Sequence, residues 1–337
     1  MNNKIYTDGS FTEKVKKKVV VYGNCHTAVI RQYLEHCIEF SSEYEIADIE
    51  YIQNIKDPIY FTENPVFKIC DVFIHQSIQK GNRYGEEYSS ENIIKRLKPE
   101  CRIIAIPNVY QLPVCFFPQY KKGEEFRDKI NTVFFRDRII DELYAKGTSF
   151  KEILSVYNNP ETFADYDFSG QFDLFIDKVR KREKDWDIKV SDFILENYKD
   201  NYLFYDPNHP TNFFMEYVVR ELLKLFGITN PSFECFKSSC MDSFEMPLYN
   251  SMVKYLFLNL KTKEEVRLTG RKVCRGKMTL EKYVKQYLSM EWQNKNLSCS
   301  LRIKSFVRYL LYRMCDFELH ILEYAKRKIS LINHGGL

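Results

Sequence analysis

Residues 18–26 read Lys-Val-Val-Val-Tyr-Gly-Asn-Cys-His (KVVVYGNCH), and this stretch decides the fold class. The apolar run from Val19 to Tyr22 is too short for a helix and suits a strand buried on both faces. Gly23 ends it. Beyond the glycine, Ile30, Tyr33, Leu34, Cys37 and Ile38 recur at helical spacing and form one apolar face. A buried strand that turns directly into a helix opens a βαβ unit. Two more short strands are predicted, over 70–75 (CDVFIH) and over 102–106 (RIIAI, stopped by Pro107). A short helix over 92–97 lies between them. The alternation predicts an α/β fold with a short parallel sheet.

Working outward, residues 1–17 read as a polar arm. Residues 108–120 (NVYQLPVCFFPQY) hold two prolines and read as a long loop. Residues 131–200 are mostly helical in pattern. Ser149 and Glu152 fit a capping box, and Trp186, Val190, Phe193, Ile194 and Tyr198 fall on one apolar stripe. The run YLFY at 202–205 is a further short strand, broken by DPNHPT at 206–211. A helix over 212–226 follows, with Gly227 placed to end it. Pro, Ser and polar residues over 228–247 suggest a boundary. The reading is therefore an arm (1–17), an α/β domain (18–230) and a mainly helical C-terminal region (231–337). That region carries stripes at Leu280, Tyr283, Val284, Tyr287 and Leu288, and at Ile303, Phe306, Val307, Leu310, Met314, Phe317 and Ile321.

With 337 residues, 45% of them hydrophobic, the chain can bury a substantial core. A net charge of only +4 argues against a nucleic-acid binder. Residues 301–337 carry seven Lys/Arg against three Asp/Glu, so they account for that whole excess. At helical spacing such a segment is either a basic face packed on the core or a helix that touches a membrane surface. The ten cysteines include no CxxC pair, which disfavours zinc-ribbon and thioredoxin chemistry and suggests no metal site. The polar start is unlike a signal peptide, and no apolar run reaches the roughly 18 residues of a membrane span. A cytoplasmic protein with reduced thiols is expected.

Two stretches carry chemistry. Gly23-Asn24-Cys25-His26 puts a thiol at the first turn of a helix. Unpaired N–H groups and the positive end of the helix dipole favour thiolate there and offer donors to an oxyanion. Gly23 permits a tight turn beneath the thiol. A buried structural cysteine is the plainer alternative. Asp206-Pro207-Asn208-His209-Pro210-Thr211 supplies an imidazole suited to general-base work. Asp206 would orient His209, as in a triad. A turn that merely caps the next helix is the alternative here.

Together the two stretches resemble SGNH hydrolases, which open on Gly-Asp-Ser at a strand-to-helix turn and close on Asp-x-x-His, often followed by proline. Cys25 stands where that family has serine. The resemblance implies a flavodoxin-like sheet and further oxyanion donors at the strand ends, for which His75, Gln76 and Asn108 are candidates. A closer resemblance, over roughly 18–230, is to the WcbI family of capsular-polysaccharide biosynthesis proteins. It is carried by VVVYGNCH (19–26), FIHQSIQ (73–79), IPNVYQLPVCFFPQY (106–120), REKDWDIKVSDFI (182–194) and LFYDPNHPT (203–211). Members usually have Gln where this chain has His26, which adds a second imidazole beside Cys25. Asp185 and Asp187 are alternatives to Asp206 as orienting carboxylates.

The WcbI resemblance implies coenzyme A or acetyl-CoA as ligand. Its phosphates would need cations, for which Arg83, Lys121, Lys122, Arg136 and Arg138 are candidates. The thiol itself tilts the expectation from hydrolysis to transfer, because thiolate attack on a thioester yields another thioester of similar energy. The expected function is an acetyl-CoA-dependent O-acetyltransferase. Cys25 is its nucleophile and His209 its base. Gly23, Asn24, His26, His75, Gln76 and Asn108 form the oxyanion and substrate region. The acceptor would be a capsular or other surface carbohydrate, at the inner face of the membrane if 301–330 binds lipid. The alternatives are an SGNH-like esterase or deacetylase, and a non-catalytic CoA- or glycan-binding protein.

Overall fold

The structure is a computed structural model that describes residues 5–7, 10–12, 15–55, 57–82, 84–109, 120–122, 135–206, 209–236, 247–260, 265–268 and 276–289. In chain order its elements begin with a hairpin, β1 (Ile5–Thr7) and β2 (Ser10–Thr12), inside the predicted arm. Then come β3 (Lys17–Tyr22), α1 (His26–His36), α2 (Ile38–Glu43), β4 (Tyr44–Ile46), α3 (Pro58–Thr62), α4 (Val66–Ile69), β5 (Val72–Gln76), α5 (Ser90–Ile94) and β6 (Arg102–Ile106). The middle of the chain holds β7 (Tyr120–Lys122), β8 (Phe135–Asp137), α6 (Arg138–Ala145), α7 (Phe150–Asn158), α8 (Phe168–Arg182), α9 (Ser191–Asn197), β9 (Phe204–Asp206), β10 (His209–Pro210) and α10 (Asn212–Lys224). The last elements are α11 (Asn250–Tyr255), β11 (Glu265–Leu268), β12 (Gly276–Thr279) and α12 (Leu280–Ser289).

A four-stranded parallel sheet in the order β4-β3-β5-β6 is the frame of the site. Val19, Val20, Val21 and Tyr22 of β3 are fully buried, as a central parallel strand requires. Side chains alternate between faces. Val20, Tyr22 and Phe73 join Phe61, Phe67, Tyr88 and Ile93 in a core on one face. By the same alternation Val21, Ile74 and Gln76 point to the other face. From β3 the chain passes to β4 on one side, and from β4 it crosses to β5 on the other side of β3. The crevice at the C-terminal ends of β3 and β5 is thus a topological switch point, where open α/β sheets bind ligands.

Several elements end for identifiable reasons. Ile228 N–H returns to the Leu223 carbonyl (3.0 Å) around Gly227 (φ 78°), the cap read from the sequence. Ser149 and Glu152 form the expected capping box on α7. The edge of β6 is covered by Asp187, whose N–H donates to the Ala105 carbonyl while its carboxylate accepts from the Ala105 N–H (2.7 Å). Asp187 therefore acts as a strand-edge cap.

The described residues divide into two compact units. One lies within Met1–Phe116, Asp167–Ser243 and Leu258–Leu260, the other within Phe117–Tyr166, Phe244–Phe257 and Lys261–Leu337. This division differs from the boundary read near residue 231, because α7 belongs with the second unit. Its Tyr157 is buried and stacks on Tyr249 with ring centroids 4.1 Å apart. The second unit also carries the β11–β12 hairpin beside its helices. The predicted stripe over 303–321 and the basic segment 301–330 lie outside the described residues.

Candidate functional site

The turn after β3 is built around a missing side chain. A Cβ on Gly23 would collide with the Gln76 side-chain oxygen and lie 2.8 Å from Thr27 Cγ2. That close approach lets Gln76 Oε1 accept from the Asn24 N–H at 2.9 Å. Gln76 Nε2 donates to the Pro107 carbonyl at 3.3 Å, and the residue is 1% exposed. Asn24 is engaged at both ends: Oδ1 accepts from the His26 N–H (2.9 Å) and Nδ2 donates to Asn108 Oδ1 (3.3 Å). Its carbonyl accepts from the Thr27 N–H and Oγ1. Three amide side chains thus stitch together the ends of β3, β5 and β6, and Asn24 caps α1.

Cys25 sits at the start of α1, half-buried. Among the described residues no group accepts from its N–H, whereas the next three helix amides are all taken. The Asn108 side chain keeps its Nδ2 hydrogens uncommitted among the described residues, since only its Oδ1 is bonded. Among the described residues Cys25 N–H and Asn108 Nδ2 are therefore donors left open at this turn. Gln76, an equal candidate in sequence, has its amide engaged in holding the turn.

His209 arrives from the other end of the domain. It stands on β10, paired with β9 in a register that sets His209 opposite Asp206. Thr211 anchors the segment: its N–H donates to the Leu203 carbonyl, its hydroxyl donates to the Tyr202 carbonyl (2.8 Å), and it caps α10. The His209 and His26 rings lie edge to face with centroids 6.5 Å apart, and His26 is 3% exposed. This contact brings His209 to the residue after Cys25. Deeper in the domain, the Arg31 guanidinium donates to the Val21 and Ile49 carbonyls (2.7 and 2.8 Å), pinning the end of β3. Burial lowers its pKa.

The structure thus gathers Gly23, Asn24, Cys25, His26, Gln76, Asn108 and His209. His75 stands apart. Its side chain stacks on Phe73 (5.2 Å) and its Nδ1 meets the Ser90 hydroxyl (3.2 Å), on the core side of the sheet. Burial lowers its pKa, which keeps the ring neutral. Ser90 also donates to the Gln76 carbonyl and accepts from the Ile78 N–H, so the pair secures the exit of β5. Asp187 covers the β6 edge, and Asp185 is exposed in a short 3-10 turn. The side chains of Asp206, Lys121, Lys122, Arg136 and Arg138 lie outside the described residues, as does Arg83. Sequence reasoning gave no role to Ser90, visible only as a serine before a short helix, or to Arg182, marked only as the first residue of the REKDWDIKVSDFI stretch. Among the described residues no group of three or more His, Cys, Asp or Glu could hold a metal ion, and no helix is long and apolar enough to cross a membrane.

Fold and site together define a parallel-sheet α/β protein with a thiol at the switch-point turn and paired imidazoles beside it. The family model for the polysaccharide biosynthesis enzyme WcbI matches residues 18–231, more than half of the chain, and the chain belongs to that family. It is also similar to a solved structure of WcbI, described as a novel polysaccharide biosynthesis enzyme in its native form without a disulfide bond between CoA and a cysteine. The TM-score is 0.70 at 20% identity, over 89% of this chain and 98% of the other. At that identity the likeness bears on the fold. No curated protein matches the chain.

Proposed function

We propose that the protein is a CoA-dependent O-acyltransferase, an acetyltransferase by preference, that modifies a capsular or other surface polysaccharide or its precursor. The observation that carries the reading is Cys25, whose N–H is open among the described residues, at the switch-point crevice with the His26–His209 pair beside it. Three facts support it: membership of a polysaccharide biosynthesis family, the mention of CoA with a cysteine for the similar structure, and a strand order compatible with an SGNH-like fold.

The Cys25 thiolate attacks the thioester carbonyl. The tetrahedral oxygen is held by Cys25 N–H and Asn108 Nδ2. The carbon–sulfur bond to the coenzyme then breaks, leaving an acyl-Cys25 and the coenzyme thiolate, which takes the proton that His209 accepted from Cys25. In the second half His209 accepts a proton from the acceptor hydroxyl. The alkoxide attacks the acyl-Cys25, an oxygen ester forms, and Cys25 leaves as thiolate. His26, nearly buried, packs against His209 and holds its ring. The reading places the protein in the cytoplasm.

Intact mass spectrometry after incubation with acetyl-CoA and no acceptor tests this directly. An acetyl adduct mapping to Cys25 and absent from Cys25→Ala is expected, with His209→Gln slowing its formation at least about 100-fold. Hydrolysis of a carbohydrate acetyl ester without any coenzyme would instead mark an esterase. CoA binding with no adduct and no transfer would leave a binding protein.

A further inference from the structure

The amide ring that shapes the turn does not end at Asn108. Arg182, the last residue of α8, donates from Nη2 to the Asn108 carbonyl at 2.6 Å. Its guanidinium lies over the buried Trp186 ring, 5.2 Å from the centroid. The next residue, Asp187, clamps Ala105 three positions before Asn108. One short segment, 182–187, therefore grips the end of β6 at two points. Among the described residues the other hydrogen bond of Asn108 stays within the ring: its Oδ1 meets Asn24, and Asn24 accepts from the His26 N–H at the start of α1. A planar guanidinium pinned on an indole is a stiff donor, better suited to fixing a backbone carbonyl than a flexible ammonium would be.

We propose that Arg182 is a positioning residue for this site. By holding the Asn108 carbonyl it fixes the direction in which the Asn108 side-chain amide donates, alongside Cys25 N–H, to the oxygen of the reacting carbonyl. The inference rests on the acyl-transfer reading and adds a residue more than 150 positions from the nucleophile. Arg182 itself need not touch either substrate.

The test uses the full chain and single-turnover acetylation of Cys25 by acetyl-CoA, which yields a maximal rate and a half-saturating concentration. Asn108→Ala should lower the maximal rate about 100-fold, as loss of an oxyanion donor does. Arg182→Gln should lower it about tenfold with the half-saturating concentration held within about twofold, and Arg182→Lys should recover part of the loss. In the Asn108→Ala background Arg182→Gln should change the rate by less than about twofold, because its effect passes through the missing amide. A rise in half-saturation at unchanged maximal rate would make Arg182 a coenzyme contact and overturn the proposal. So would an undiminished tenfold loss in the double variant. Amide hydrogen exchange over 24–28 supplies an arm independent of acyl transfer, with thermal melting confirming the fold. If exchange does not rise in Arg182→Gln, the positioning role is wrong. If exchange rises but wild-type protein never acetylates, the contact stands and the acyl-transfer reading falls.

Discussion

Gly23→Ala probes the closest contact in the site. The added methyl has nowhere to go: it meets the Gln76 oxygen on one side and Thr27 Cγ2, at 2.8 Å, on the other. Gln76 is 1% exposed and tied to Pro107, so it cannot swing into solvent. If the ring of contacts holds, the overlap costs about 1–3 kcal/mol as overpacking does. If Gln76 yields, the Asn24 N–H loses its acceptor, at a similar cost of about 1–3 kcal/mol. Both routes lead to a loss of about 2 kcal/mol, which lowers the melting temperature by roughly 3 °C in a chain of this size without abolishing the fold. Urea unfolding followed by circular dichroism gives the stability change, and the slope should match wild type. Gln76→Ala alone should destabilise as well, yet Gly23→Ala on top of it should cost much less, a coupling of about 1 kcal/mol or more. The reasoning fails if Gly23→Ala lies within about 0.5 kcal/mol of wild type, or if the two substitutions add as distant sites do.

Two more predictions concern groups on the core side of the sheet. Burial holds the His75 pKa below 6.5, so the unfolded chain protonates first as pH falls. The stability contributed by neutral His75 is complete above about pH 6.5 and is lost below it. His75→Gln should flatten the fall in urea midpoint between about pH 7.5 and 5.5, and an unchanged slope would discount His75 as its source. The Cys70 thiol is fully buried, 3.6 Å from Cys101, and burial with that neighbour pushes its pKa up to about 12. In native protein a thiol reagent should label the exposed Cys235 quickly and Cys70 only as fast as the chain opens. Equal labelling rates for Cys70 and Cys235, read by peptide mapping, would contradict this packing.

The central strands are legible because burial on both faces leaves a compositional mark: VVVY in β3 and VFIH in β5 announce themselves. β4 does not. Tyr44–Ile46 is three residues long and partly exposed, and it is a strand because Lys17–Val19 pairs with it. The apolar stripe from Ile30 to Ile38 is read as one helix, but the backbone turns extended at Cys37, which bridges Phe233 nearly 200 residues away. No local pattern contains that partner. Trp186 and Val190 mislead for a related reason. Both are buried and fall at helical spacing with Ile194, yet they precede α9, whose first amides are capped by the Glu183 carboxylate. Periodicity registers burial, and burial outside a helix can imitate it.

At the site, residue type singled out Cys25 and His209 as candidates, and the structure sets the His209 ring against His26, the residue after Cys25. Residue type could not separate Gln76 from Asn108. Both are amides at parallel strand ends, and both were equal candidates for polarising a carbonyl. Hydrogen-bond stoichiometry separates them. Gly23 lets the Gln76 oxygen reach the Asn24 N–H, which fixes the amide plane and directs its nitrogen to Pro107. Asn108 is held instead through its carbonyl by Arg182 and through its side-chain oxygen by Asn24, which leaves the nitrogen as its open group among the described residues. The same accounting removes Asn24, whose oxygen and nitrogen both serve the turn. Of three chemically similar side chains within one ring, two maintain the geometry and one retains a donor, and that division follows from where a glycine allows one of them to approach.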